Sequence, residues 1–372
     1  MKAPATILVL CVASLLALGM VMLYSAGMLS LGTHYLKLQL LWCAVGIVAC
    51  LCFAFIDYKY LKAAAPFLFV LALVLLALVL VRAGGSSHGA KRWLVFGAMT
   101  FQPSEAAKIA LIIALAAYGE RFQRLMPSFR HGLLYPAIVI ALIIGLIFVE
   151  PDRGTSILLA GVSFGILLMA GANMKFVIPL GLAGAAALAY SLIHDPMRLG
   201  RIMVWLHPQD NKSGQGYQAW HATLALGSGG ATGLGLGSGR QKLGFVPEQH
   251  TDFIFSMIGE ELGLIATLAV VLVFLLFVIC GALISAGARD RFGLLLGAGL
   301  TFLIGFQAFI NIGVVTSLLP NKGLALPFVS YGGSSLLMML ICVGILLSIA
   351  IRGNSRTEES EQPSGLGANV FA

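Results

Sequence analysis

The chain has 372 residues, 59% of them hydrophobic and 10% charged, with a mean hydropathy of +0.97 and a formal net charge of +8. That leaves too little polar surface to coat a water-soluble globule, so the main solvent of the chain is lipid. The positive charge suits an anionic membrane surface or an anionic substrate, and charge alone does not choose between them.

A membrane span takes roughly 20 apolar residues, which leaves room for about ten. The run from Ile7 to Leu23 lacks a small-residue cleavage site and reads as a first span. In chain order, the apolar windows predict spans at about 6–26, 36–56, 66–83, 102–118, 133–149, 155–171 and 176–194. Three more follow at about 253–284, 293–315 and 327–351. All must be helices, because an isolated strand cannot satisfy its backbone groups in hydrocarbon. The expected fold is an all-α polytopic membrane protein of about ten transmembrane helices. One long extracytoplasmic loop, 195–252, separates helices 7 and 8. Residues 1–352 read as a single transmembrane domain, and the polar segment 353–372 as a disordered cytoplasmic tail. No internal repeat is visible.

Lys and Arg in the short connections fix the orientation. Eleven lie on one side: Lys2, Lys59, Lys62, Arg121, Arg124, Arg130, Lys175, Arg289, Arg291, Arg352 and Arg356. Six lie opposite: Lys37, Arg82, Lys91, Arg92, Arg153 and Lys322. The excess puts both termini in the cytoplasm. The six cysteines all fall inside apolar runs, so they offer neither a disulfide framework nor metal-ligand spacing.

Polar motifs punctuate this pattern. Lys91, Arg92 and Trp93 form a basic-aromatic trio at the outer interface, where Trp anchors to the membrane belt and two cations suit a phosphate. In QPSEAAK, Pro103 suits the first turn of a helix, and Glu105 and Lys108 sit three apart on one face. Pairing lowers the cost of placing each charge near hydrocarbon, so the two either lock the helix to a neighbour or line a cavity. In VEPDRGTS, Glu150 and Asp152 flank a tight turn on the outer side and are candidates for cation or sugar contacts, while Arg153 reads as an ordinary turn residue. The Gly-rich stretch 227–242 lacks phosphate-loop spacing, yet flexible backbone ahead of Arg240 and Lys242 suits wrapping a pyrophosphate.

VPEQHTDFIF then places Glu248, His250, Thr251 and Asp252 at the mouth of an apolar run. Capping of the next helix by Thr251 or Asp252 explains one polar residue there but not its neighbours. A carboxylate held ionised near a helix N-terminus is what a general base requires. Glu248 beside it is a candidate acidic neighbour, and the two carboxylates are the candidate ligands for a divalent cation such as Mg or Mn. Finally, Lys322 precedes GLALPFVSYGGSS, in which Ser330, Gly332, Gly333, Ser334 and Ser335 crowd five small residues into six positions. Such a surface either packs closely or lines a substrate path.

The ordered motifs QPSEAAK, PDRGTS, GYQ…GSGG…GLGSGRQK, PEQHTDFIFSMIGEELG and LPFVSYGGSS resemble the SEDS membrane proteins, the family of RodA, FtsW and SpoVE. The resemblance spans nearly the whole chain except the tail, and Glu150 before PD and KGLALPFVSYGGSS are closer to the FtsW and SpoVE branch. The family implies ten transmembrane helices in a bacterial cytoplasmic membrane, and polymerisation of lipid II into glycan strands at the outer face, in division or cell-shape maintenance. The implied partners are lipid II, the undecaprenyl-pyrophosphate-linked glycan, a class B penicillin-binding transpeptidase and other division or elongation proteins; no nucleic acid is expected. The catalytic Asp of the family's HTDF motif falls on Asp252, and the Glu and Lys of its PSExxK motif on Glu105 and Lys108. The chain departs from the family pattern at Trp220, His221 and Gly239, which weakens transfer of substrate contacts within the long loop. A lipid II flippase and a non-catalytic division scaffold are the competing readings.

Overall fold

The computed structural model describes residues 2–27, 34–81, 92–96, 99–194, 196–206, 216–239 and 251–361. Its helices are α1 (Lys2–Gly27), α2 (His34–Phe55), α3 (Lys59–Val81), α4 (Pro103–Arg121), α5 (Tyr135–Val149), α6 (Arg153–Met169) and α7 (Met174–Ile193). They continue as α8 (Pro196–Leu206), α9 (Tyr217–Ser228), α10 (Ile254–Ala286), α11 (Arg291–Val315) and α12 (Gly333–Glu361). Eight of these are long and apolar enough to cross a membrane: α1, α2, α3, α5 with the turn before it, α7, α10, α11 and α12. The fold is therefore the expected all-α polytopic one.

In lipid, the most apolar helices have the least reason to hide. About two-thirds of the spanning windows of α11 and α12 (67% each) are buried, against 22% for α2 and α3, so α11 and α12 are core helices and α2 and α3 are rim. The interior helix α4 is shorter and carries Glu105, Lys108, Glu120 and Arg121; it packs on α3, α5, α6, α11 and α12. Glu105 and Lys108, which would be costly against acyl chains, are thus surrounded by protein, while Arg121 at the helix end is exposed. α2 lies along α12, and α10 lies between α1 and α11.

At the Lys- and Arg-rich face, Arg352 of α12 donates to the Phe55 carbonyl at 2.6 Å and reaches Asp57 at 3.2 Å, closing the α2–α3 turn over the end of the bundle. Lys62 pairs with Glu120 at 2.6 Å on the same face.

Several boundaries differ from the sequence reading. The long connection carries α8 and α9 rather than being one unstructured loop. The last helix starts at Gly333 instead of near 327, because residues 316–332 are irregular. A short antiparallel hairpin, β1 (Leu94–Phe96) with β2 (Met99–Phe101), leads into α4 and pairs Leu94 with Phe101.

The apolar run of α10 conceals a break at Gly263, with φ 79 and ψ −173, a region open essentially to glycine. In an unbroken helix the carbonyls of Glu260 and Glu261 would accept from Leu264 and Ile265. Here the Gly-rich loop after α9 is inserted between them. Leu234 N and Gly235 N donate to those two carbonyls at 3.0 Å each, while Leu264 N and Ile265 N donate to Gly230 O and Ala231 O at 2.9 and 3.2 Å. These four backbone groups, parted by the break, each find a new partner, as burial demands.

Candidate functional site

Asp252 stands two residues before α10, half-buried, with Phe253 between them as the helix N-cap. No side chain caps α10, so the expected capping role for Thr251 or Asp252 is corrected. The Asp252 carboxylate lies instead against Gly323: a Cβ built at 323 would come within 2.8 Å of its Oδ2. Gly323 is exposed and Lys322 precedes it.

The backbone beneath this carboxylate is clamped from two sides. Asn311 of α11 donates through Nδ2 to the Asp252 carbonyl at 2.8 Å and to the Leu324 carbonyl at 2.6 Å. Ser330 Oγ donates to the Thr251 carbonyl at 2.5 Å and accepts from Leu326 N at 2.8 Å. Neither Asn311 nor Gln307 was singled out in the sequence, although two amides four apart in the apolar stretch FLIGFQAFINIGVV are a readable signal.

One helical turn before Asn311, Gln307 donates to the Ala325 carbonyl at 2.9 Å and accepts from Lys108 Nζ at 3.1 Å. Lys108 pairs with Glu105 at 2.8 Å, their side chains 1% and 9% exposed. The predicted pair therefore exists. It locks α4 to α11 and, through Gln307, to the segment facing Asp252. Burial of both charges is tolerable only because they satisfy one another.

The α5–α6 turn packs on the other side of that segment, with Gly154 against Leu324. Asp152 is the N-cap of α6, accepting from Thr155 N at 3.1 Å and Thr155 Oγ1 at 3.0 Å; Gln102 Nε2 reaches it at 3.4 Å. Arg92, half-buried, donates to the carbonyls of Glu150 and Pro151 at 3.1 and 2.6 Å, and Trp93 follows it into the hairpin. Glu150 is 1% exposed. Burial pushes its carboxyl up to about 8, with Asp152 adding to the rise and Arg92 opposing it. Arg153 stacks over Phe148 at 4.8 Å and donates to Ser191 O at 3.3 Å, the structural role expected of it.

Burial also lowers the Lys322 ammonium below the usual lysine range, so this cation beside Gly323 is poorly hydrated. The small residues further on have mixed surroundings. Gln39 of α2 donates to Ser330 O at 3.2 Å and accepts from Gly332 N at 3.3 Å, and Gly333 abuts the Trp42 indole, so Gly332 and Gly333 serve packing against α2. Ser334 is buried at the start of α12.

The Gly-rich stretch does not behave as a pyrophosphate wrap within its described part. Its amides at 234, 235 and 237 are taken by Glu260 and Glu261, and Ser25 donates to the Glu261 carboxylate at 2.6 Å. Lys91, Arg240, Lys242, Glu248 and His250 lie outside the described residues, as does 362–372 of the tail. Among the described residues no three of His, Cys, Asp or Glu gather as a metal site, and Glu248, the second candidate cation ligand beside Asp252, lies outside them.

Residues 5–355 match the cell cycle protein family FtsW/RodA/SpoVE. The chain is 41% identical over 352 residues to the probable peptidoglycan glycosyltransferase FtsW of Trichlorobacter lovleyi, covering 92% of each. It is 37% identical over 355 residues to stage V sporulation protein E of Bacillus subtilis, covering 93% of this chain and 97% of that one. Among solved structures, a chain from a peptidoglycan synthase complex that coordinates polymerization and crosslinking superposes with a TM-score of 0.79 at 27% identity, over 93% of this chain and 97% of that one. The rod shape determining protein RodA of Thermus thermophilus superposes with a TM-score of 0.69 at 27% identity, over 92% and 95%. With the helices, the motifs and these likenesses in agreement, the chain belongs to the FtsW/RodA/SpoVE family of integral membrane cell cycle proteins.

Proposed function

We infer that this chain is a peptidoglycan glycosyltransferase that polymerises lipid II at the outer face of the bacterial cytoplasmic membrane, with Asp252 as general base and both termini in the cytoplasm. The glycosyltransferase names of relatives 41% and 37% identical, aligned over more than nine-tenths of the chain, support the activity.

The chemistry follows from the substrate. The 4-hydroxyl of one lipid-linked disaccharide attacks the anomeric carbon of another. The new C–O bond forms as the bond to the α-linked pyrophosphate breaks, which gives a β-linkage. One inverting displacement needs one base rather than the carboxylate pair of a retaining mechanism. Asp252 takes the hydroxyl proton, and the polyprenyl pyrophosphate leaves with the electron pair. Its growing negative charge calls for nearby cations. Lys322, poorly hydrated beside Gly323, and Arg92 at the α5–α6 turn are the described candidates. Arg240, Lys242 and Lys91 are further candidates for that charge, and Glu248, His250 and Thr251 for contacts around the acceptor. Ser330 acts from behind, on the Thr251 carbonyl.

The single observation carrying this reading is the placement of Asp252: a half-buried carboxylate before the start of α10, on a clamped backbone, facing an exposed glycine. A transporter reading would look to the broken helix α10 for a midplane site. The groups freed by that break are instead satisfied by the 230–235 loop, which leaves the transporter reading without its usual ion-binding carbonyls. The likeness to a chain of a synthase complex that also crosslinks supports a class B penicillin-binding transpeptidase as partner.

The test is purified protein in liposomes with labelled lipid II, read for glycan polymer and for transbilayer movement. Asp252→Asn should lower polymerisation at least ~10²-fold, the usual worth of a positioned base, while the protein stays folded. Polymerisation at the unaltered rate, or lipid movement without polymer, overturns the assignment.

A further inference from the structure

We propose that Asn311 is a positioning residue for Asp252, holding the backbone that carries the base in register with the segment its carboxylate faces. The proposal rests on the reading of Asp252 as the base.

Asn311 is 1% exposed, on the face of α11 that meets both the start of α10 and the segment before α12. Its amide nitrogen carries two protons, and each has its own carbonyl: Asp252 at 2.8 Å and Leu324 at 2.6 Å. Those carbonyls belong to segments 72 residues apart in sequence. One planar NH2 group therefore sets the separation of the two backbones, and the Asp252 carboxylate projects across that gap towards Gly323.

Two further bonds make the frame stiff. Ser330 holds the neighbouring carbonyl of Thr251, so consecutive carbonyls of the 251–252 segment are fixed from two directions. Gln307, four residues before Asn311 and on the same face of α11, holds the carbonyl of Ala325, so consecutive carbonyls of 324–325 are fixed as well. Gln307 is itself oriented by Lys108 at 3.1 Å.

The acceptor side of Asn311 argues for a purpose beyond packing. Its Oδ1 is buried and has no hydrogen-bond partner among the described residues. An unsatisfied buried acceptor destabilises the fold, and an apolar residue of the same size would avoid it. The amide is worth having only for its two donors. What those donors control is the position of a base, and proton transfer to a base falls off steeply when its geometry slips by a fraction of an ångström.

The experiment compares the full chain with Asn311→Leu, Asn311→Gln and Asp252→Asn in liposomes, measuring kcat, KM for lipid II and heat stability of each. Asn311→Leu keeps the volume and removes both donors; heat stability should fall as two carbonyls lose this donor, while at temperatures where the variant stays folded kcat should fall 10- to 100-fold with KM within about twofold. Asn311→Gln keeps the donors on a longer arm and should recover part of kcat. If Asn311→Leu leaves kcat unchanged, or lowers kcat only at temperatures where the variant unfolds, Asn311 is a structural staple and the proposal fails. Should Asn311→Leu not fold, Asn311→Gln decides alone: a lower kcat at parental stability supports positioning, and an unchanged kcat overturns it. Asp252→Asn separates the two layers, since its retention of polymerisation sinks the base assignment itself, whereas its loss beside an unaffected Asn311→Leu sinks only the role given to Asn311.

Discussion

Removing the ammonium of Lys108 should unfold more of this protein than any surface change, and removing its partner as well should restore most of what is lost. Lys108 Nζ and Glu105 Oε2 are 2.8 Å apart, with side chains 1% and 9% exposed. At an effective dielectric of about 20, two unit charges at that distance attract by about 6 kcal/mol, most of which offsets the desolvation of both groups. In Lys108→Met that attraction vanishes and Glu105 stays buried. Removing one partner of such a buried pair costs about 3–5 kcal/mol, because the other charge is left uncompensated. Loss of the bond to Gln307 adds about 1 kcal/mol. The double variant Glu105→Gln with Lys108→Met leaves no buried charge and should regain all but about 1–2 kcal/mol. The assay is the fraction of monodisperse protein remaining after a heating series in detergent, with labelled lipid II polymerisation in parallel. A single variant as stable as the parent, or a double variant no better than Lys108→Met, refutes the reasoning. A double variant that is stable but slow in polymerisation assigns the pair to the orientation of Gln307 and the 324–325 segment.

Two other expectations follow from the geometry. Glu150 favours its neutral form in the fold, with its carboxyl pushed from 4.5 up to about 8, so the stability tied to this group is complete below about 4.5 and lost as pH rises through about 8. Glu150→Gln should therefore gain heat stability over the parent progressively from pH 5 to pH 8, by an amount on the order of 2–4 kcal/mol at pH 9, and parallel melting curves at all pH values would contradict this. Gly263→Ala puts a Cβ against Gly233 N and Ala231 O at a φ of 79 that only glycine tolerates. Its apparent Tm should fall by at least about 5 °C through loss of the loop's seat, and an unchanged Tm would mean that the break is not as tight as described.

What could be read from the sequence was whatever depends on short-range spacing. The apolar windows located the ten long helices, eight of them long and apolar enough to cross a membrane, although the starts of α3 and α12 were missed by six or seven residues; the i, i+3 relation of Glu105 and Lys108 was enough to pair them once Pro103 began a helix. The remainder depends on partners distant in the chain. Asn311 reaches Asp252 across 59 residues, and nothing local to either predicts the contact. The break at Gly263 is marked locally only by the polar pair Glu260–Glu261, and the loop that repairs it begins more than thirty residues earlier. Capping of α10 by Asp252 was a sound local inference, overridden because the carboxylate turns towards Gly323 while Phe253 takes the N-cap position. The hairpin at 94–101 is too short for alternation to announce it.

The interruption of α10 also has a mechanical meaning. The nine residues 254–262 before Gly263 form a separate stub, fastened through the carbonyls of Glu260 and Glu261 to Leu234 N and Gly235 N. Asp252 rides at the tip of this stub. Because Leu264 N and Ile265 N, at the start of the shaft from Leu264 to Ala286, donate to Gly230 O and Ala231 O of the same loop, the loop spans the joint like a splint and holds the stub in line with the shaft. A load on the loop is thus shared by both halves of α10, and the stub that carries Asp252 owes its alignment to a segment more than thirty residues earlier in the chain.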